Sequence, residues 1–163
     1  MSSWLEILRG KQEDRGLMAN LRCYLVESKK HRAYPALYRL GIPVDLESKS
    51  VAAALYAMHP VEGTLKNFGS TVKLIGKTKD NNSGSEDKQT PTERRFQHLL
   101  AAEYGKELYE RVAKFVMLAK SCSAPVNYEQ LQQDLEFWCD RVRREWASEF
   151  WKIDKAPSAG DMP

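Results

Sequence analysis

Apolar residues recur along this chain at helical spacing, one segment after another. Leu17, Met18, Leu21, Tyr24 and Leu25 share one face at about 100° per residue, which predicts a helix from about Asp14 to Glu27. Leu108, Val112, Phe115, Ala119 and Cys122 form a second stripe, predicting a helix from about Tyr104 to Cys122. Leu131, Leu135, Trp138, Val142 and Trp146 form a third, on a helical stretch reaching about Lys152. No segment sustains the apolar–polar alternation of an exposed strand.

Capping residues and breakers punctuate these stripes. Ser3 and Glu6 stand at capping-box spacing, so a helix opens near Trp4 and Gly10 closes it. "YPALYRL" reads as a short helix with Pro35 in its first turn, ended by Gly41-Ile42-Pro43. "SKSVAAALYAMH" supplies another, stopped by Pro60. In "TPTERRFQHLL", Thr90 is the N-cap, Pro91 the first helical residue, and Glu93 completes a capping box. Phe96, Leu99 and Leu100 form its apolar side. Asn127 and Gln130 repeat the capping pattern after Pro125.

The expected fold is all-α, with about seven to eight helices in two small lobes joined by a mobile loop. The stretch from Gly76 to Gln89 is rich in Gly, Ser, Asn, Lys and Asp and cannot bury a core. Residues 1–75 are thus expected to be an N-terminal helical lobe, 76–90 a flexible loop, 91–152 a C-terminal helical bundle and 153–163 a frayed tail.

Composition narrows the function. The chain has 163 residues, 42% hydrophobic and 29% charged, as in a soluble globular protein. No apolar run approaches a bilayer span of about 20 residues, and the N-terminus lacks the pattern of a signal peptide. Cys23, Cys122 and Cys139 are odd in number and form no C-x-x-C pair, which points to reduced thiols and a cytoplasmic setting. His31, His59 and His98 are not at metal-ligand spacing, and no nucleophile elbow, zincin motif or phosphate loop is present. Glu103, Glu107 and Glu110 are read as a solvated helix face in preference to a Mg²⁺ cluster. No catalytic residue, metal or cofactor is expected.

Charge is uneven. From Arg9 to Arg39 there are eight Lys or Arg against three Asp or Glu, whereas Pro91 to Lys152 has ten against ten. Arg15, Arg22 and Lys29 recur every seven residues, which would align them opposite the apolar face of one continuous helix. Phe137, Arg141, Arg144 and Trp151 would share a sector if the last helical stretch is unbroken. Arg94 and Arg95 open a helix, where the dipole disfavours cations. Arginines beside aromatic residues suit phosphates and unpaired bases. A plain alternative is a solvated face, with the aromatics packed against the other lobe.

"GLMANLRCYL", "AYPALYRLG", "ERRFQHLL" and "VNYEQLQQDLEFWCDRVRREWASEFW" occur in this order and spacing. Together they resemble the CasB family, the small subunit of the type I-E CRISPR Cascade antiviral complex. The resemblance runs from Trp4 to Trp151, apart from the Gly76–Gln89 loop. It implies a non-catalytic helical protein, two copies of which sit head to tail beside the backbone and large subunits and the CRISPR RNA. It further implies DNA and RNA binding, with sugar–phosphate contacts to target and non-target DNA strands that hold the R-loop open. Carried over by position, Arg22 matches a family arginine and Arg95 the second arginine of "ERR". Lys114 falls, across a short gap, at an often basic position, and Arg141 and Arg143 match a basic cluster. Arg94, Arg111 and Arg144 are added from the helix faces. Cys23 stands where the family often has a second basic residue, leaving Arg15 or Lys29 to compensate. The competing readings are a helical protein–protein adaptor without nucleic-acid contact and, more weakly, a helical metal-dependent nuclease.

Overall fold

The computed structural model describes residues 3–80 and 89–153. Among them are nine α-helices: α1 Trp4–Arg9, α2 Arg15–Arg22, α3 Tyr34–Arg39, α4 Glu47–Met58, α5 Phe68–Lys79, α6 Pro91–Leu100, α7 Lys106–Cys122, α8 Tyr128–Glu136 and α9 Asp140–Trp151. Two 3-10 segments, Cys23–Leu25 and Glu27–Ala33, link α2 to α3. No strand occurs among the described residues, which contain one bridging pair, Glu62 and Val126.

Local capping chemistry sets the helix starts. The Ser3 hydroxyl accepts the Glu6 N–H at 3.1 Å, and Glu6 accepts the Ser3 N–H at 3.4 Å. Thr90 and Glu93 make the same reciprocal pair at 3.1 and 2.9 Å. Asp14 caps α2 through the Leu17 N–H at 3.0 Å, and Asn127 caps α8 through the Gln130 N–H at 3.1 Å. Each such cap contributes about 1 kcal/mol.

The helices bury one continuous apolar cluster, in which α4 packs on α2 and α8 while α5 packs on α9, α7 and α6. The expected stripes are largely buried: Leu17, Met18, Leu21 and Tyr24; Leu108, Val112, Phe115 and Ala119; Leu131, Leu135, Val142 and Trp146. The end of α4 is tied to the turn before α8. The buried His59 donates from Nε2 to the Ala124 carbonyl at 2.6 Å, and the Tyr128 hydroxyl donates to the His59 carbonyl at 2.5 Å.

Three elements differ from the sequence expectation. First, α2 stops at Arg22, because Val26 adopts an extended conformation (φ −113°, ψ 114°) that interrupts the helical ladder. Second, the stretch after Asn127 is not one helix: Phe137 leaves helical geometry and Cys139 is extended before α9 begins. A continuous helix would hold residues 134 and 146 about 18 Å apart along its axis. The break folds α9 back, so that the Trp146 indole N–H donates to the Asp134 carboxylate at 2.8 Å. Burial pushes the Asp134 carboxyl above its usual range, a shift opposed by hydrogen bonds from Trp146 and Gln130. Third, Gly76–Lys79, assigned to the loop on composition, form the last turn of α5. The rest of the expected loop, 81–88, lies outside the described residues, as does 154–163 of the expected tail.

The glycine-rich helix α5 is held by tertiary contacts. Asn67 caps it by accepting the Gly69 N–H at 2.8 Å and reaches α9 by donating to the Glu145 carbonyl at 3.2 Å. Gly69 then lies so close to α9 that a Cβ there would stand 2.1 Å from the Trp146 carbonyl oxygen. Trp146 is fully buried, with its ring against Phe68 and Trp138.

Arg143 plays a comparable part at the end of α6. Its guanidinium donates to the carbonyls of Leu100 at 2.7 Å and Ala102 at 3.0 Å, and to Asp140 at 2.8 Å. It lies over the Trp138 ring at 5.2 Å. These bonds satisfy carbonyls that a helix C-terminus leaves unpaired.

Gly69→Ala is expected to lower stability by about 1–3 kcal/mol or more, as overpacking against backbone does. Gly10→Ala, whose Cβ would meet only ordinary contacts at 3.5 Å or beyond, should instead add about 0.4–1 kcal/mol; urea unfolding of both variants checks the contrast. Arg143→Ala should cost about 1.5–3 kcal/mol. Arg144→Ala, one residue away and exposed, should stay within about 0.5 kcal/mol, and thermal melts of the pair test the difference.

Candidate nucleic-acid interface

The exposed arginines of α6 sit on its outer face because Thr92, Phe96 and Leu99 face the core. Arg94 and Arg95 are thereby displayed to solvent, their side chains making no hydrogen bond or ion pair among the described residues. One turn on, His98 is exposed on the same side as Arg95. On the adjacent α7, the burial of Val112, Phe115 and Ala119 turns Arg111 and Lys114 towards that side.

These residues converge. Arg95 and His98 of α6, with Arg111, Lys114, Phe115 and Leu118 of α7, line a half-open groove of about 180 Å³. Arg111 is partly compensated by Glu107 on the preceding turn, with 3.2 Å between Nε and Oε2. Arg95 and Lys114 have no acidic partner among the described residues. The groove thus holds positive charge in excess of its carboxylates. It unites three of the residues singled out in the sequence, Arg95, Arg111 and Lys114. His98 was not among those, although its spacing of three from Arg95 mirrors that of Lys114 from Arg111.

The remaining sequence candidates are placed differently. Arg144 is exposed on α9 without a partner among the described residues. Arg141 is exposed but held by Glu145, at 3.2 Å to both carboxylate oxygens. Arg143 is committed to α6 and Asp140 as described, so its guanidinium serves packing. On the N-terminal side, Arg22 donates to the Ala57 carbonyl at 3.2 Å, capping α4. Arg15 is exposed on α2, and Lys29 lies beyond the end of that helix in a 3-10 segment. The seven-residue stripe of Arg15, Arg22 and Lys29 therefore does not form on one helix. Nor do Phe137, Arg141, Arg144 and Trp151 share one sector, because the chain breaks at Phe137. Trp151 instead packs on Phe96 and Phe150 and donates to Glu93 at 3.2 Å, while Phe137 is 61% exposed.

Of the three carboxylates weighed against a Mg²⁺ cluster, two have basic partners. Glu107 pairs with Arg111, and Glu110 lies 4.0 Å from Lys106. Among the described residues, no group of three or more His, Cys, Asp or Glu could hold a metal ion. Nor is any helix there long and apolar enough to cross a membrane.

This arrangement can be set beside known proteins. Among solved structures, the chain is similar to a Cse2-family CRISPR-associated protein from Thermus thermophilus. The two share 20% identity and a TM-score of 0.71, covering 92% of this chain and 94% of that one. It is also similar to CasB from Thermobifida fusca, at 22% identity and a TM-score of 0.64, with 90% and 92% covered. Likeness at these identities speaks for the fold. Among curated proteins none matches the chain. The family model described as CRISPR-associated protein Cse2 matches residues 17–151. That span takes in every helix from α3 to α9 and most of α2, and it places the chain in the Cse2 family of CRISPR-associated proteins.

Proposed function

We propose that the chain is a non-catalytic subunit of a CRISPR RNA-guided surveillance complex of the type I-E Cascade kind. On this reading it holds the R-loop open through sequence-independent contacts to the displaced and target DNA strands. The observation that carries the proposal is that Arg94, Arg95, Lys114 and Arg144, on α6, α7 and α9, are all exposed and have no acidic partner among the described residues. Arg141 and Arg111, by contrast, are each paired with a carboxylate one turn away.

The physical logic is one of small differences. Guide pairing reads the sequence, and exchanging a DNA duplex for an RNA–DNA heteroduplex is nearly balanced in energy. A few backbone contacts can then decide how long the loop stays open. Such contacts need charge and position but no base recognition. The proposed partners are a second copy of the chain, the backbone and large subunits, the CRISPR RNA and both DNA strands. One observation favours the adaptor reading: Tyr38 and Phe137 are 65% and 61% exposed, a large apolar display for protein neighbours to cover. Covering those rings and binding phosphates are compatible on different faces.

With about four to six phosphate contacts, log affinity for nucleic acid should fall with log salt at a slope of about −3 to −5. Fluorescence anisotropy across a salt series, with two oligonucleotides of unrelated sequence, measures this. Affinity indifferent to salt would contradict the proposal. In reconstituted complexes, Arg95→Glu combined with Arg144→Glu should shorten R-loop lifetime by about tenfold, given surface ion pairs worth up to ~1 kcal/mol each. Arg144 is chosen over Arg141 because reversing Arg141 also breaks its pair with Glu145. Unchanged lifetimes in a complex that still assembles would favour the adaptor reading.

A further inference from the structure

The groove between α6 and α7 has features that a track for phosphates does not require. Its floor is apolar, made by Phe115 and Leu118. That floor is rigid, because the Phe115 ring is fixed edge-on between Phe68 and Phe96, with centroids 6.4 Å away in each case. Its rim carries three planar groups, the guanidiniums of Arg95 and Arg111 and the imidazole of His98, beside the ammonium of Lys114. A phosphate gains nothing from an apolar floor, since burying it there would strip its hydration.

A nucleobase matches all three features. An enclosed apolar cavity of about 150 Å³ holds a benzene ring, so the 180 Å³ here suits one base ring. Unpaired bases splayed from a strand stack on His rings and on Arg guanidinium planes. The cations beside the groove can meet the phosphates that flank the inserted base. A base held in a duplex is stacked and paired and cannot enter without first being extruded.

We propose that this groove receives one unpaired nucleobase, with His98 and the two guanidinium planes as its stacking walls, so that the subunit distinguishes single strand from duplex. The inference rests on the nucleic-acid reading above and adds to it a ligand class, a base where only a backbone was assigned.

The test uses the full chain and two labelled strands of equal length, oligothymidylate and an abasic deoxyribose-phosphate oligomer. Both carry the same phosphates, so the counterion contribution is matched. The thymidylate strand should bind more tightly by about fivefold or more, the scale of one base–side-chain stack. Leu118→Trp, which fills the groove, and His98→Ala, which removes a wall, should each bring that ratio towards one. His98 is exposed, so His98→Ala still decides the matter should Leu118→Trp fail to fold by circular dichroism. Equal affinity of the unmodified chain for the two strands would overturn the inference and leave the backbone-contact function standing. A ratio that persists in His98→Ala would also overturn it, because the base would then be engaged elsewhere. Binding of neither strand would overturn the nucleic-acid function and the inference with it.

Discussion

The fold depends on the close approach of α5 to α9 at Gly69. With no side chain at that position, the backbone of α5 can rest against the Trp146 carbonyl, where a Cβ would stand 2.1 Å away. Asn67 secures the contact by holding the Gly69 N–H with its oxygen and the Glu145 carbonyl with its amide. Trp146 carries the constraint further, since its buried indole ties α9 to Asp134 of α8 and packs against Phe68 of α5. Removing one carbonyl–glycine contact would therefore disturb three helices, because packed interiors leave little room to relax.

The surface chemistry follows from that packing. Once α9 is folded back against α5, Arg143 can reach the end of α6 and cap its carbonyls. Trp151 at the end of α9 lies on Phe96 at the same time. Held at both ends, α6 presents Arg94, Arg95 and His98 outward beside the basic face of α7. With the helix backbones already placed, only the cationic side chains need ordering when a strand arrives, which limits the entropic cost of binding. The arginines thus divide into two kinds within a few residues: Arg143 builds the frame, and Arg95 and Arg144 are displayed by it.

Much of this was legible in the sequence because the signals were local. The caps at Ser3, Thr90 and Asn127, and most of the apolar stripes on α2, α7, α8 and α9, are one-turn and two-turn patterns that depend little on the rest of the chain. What escaped was decided by partners distant in sequence. Helix α5 carries an N-cap at Asn67 and apolar residues at Phe68, Val72 and Ile75, but no helix was assigned there, and its last turn, Gly76–Lys79, read as loop. It is helical because α9 accepts it. The break at Phe137 is likewise set by what Trp138 and Trp146 reach, not by a proline or glycine in the stretch itself. In the basic surface, charge was readable but occupancy was not. Arg143 and Arg144 look alike in "RVRRE", and only the fold shows that one guanidinium is committed and the other exposed. His98 was weighed only as a metal ligand, because a lone histidine gains its place beside cations only when Arg111 and Lys114 are brought opposite it.

The central claim is that the α6–α7 face meets nucleic acid in the assembled complex, and proximity tests it most directly. A short diazirine photocrosslinker at position 114, in a reconstituted complex carrying an open R-loop, reports what lies against that face. The account predicts covalent transfer to a DNA strand, lost when the R-loop is not formed. Crosslinks to protein subunits alone, unchanged by the presence of target DNA, would contradict it.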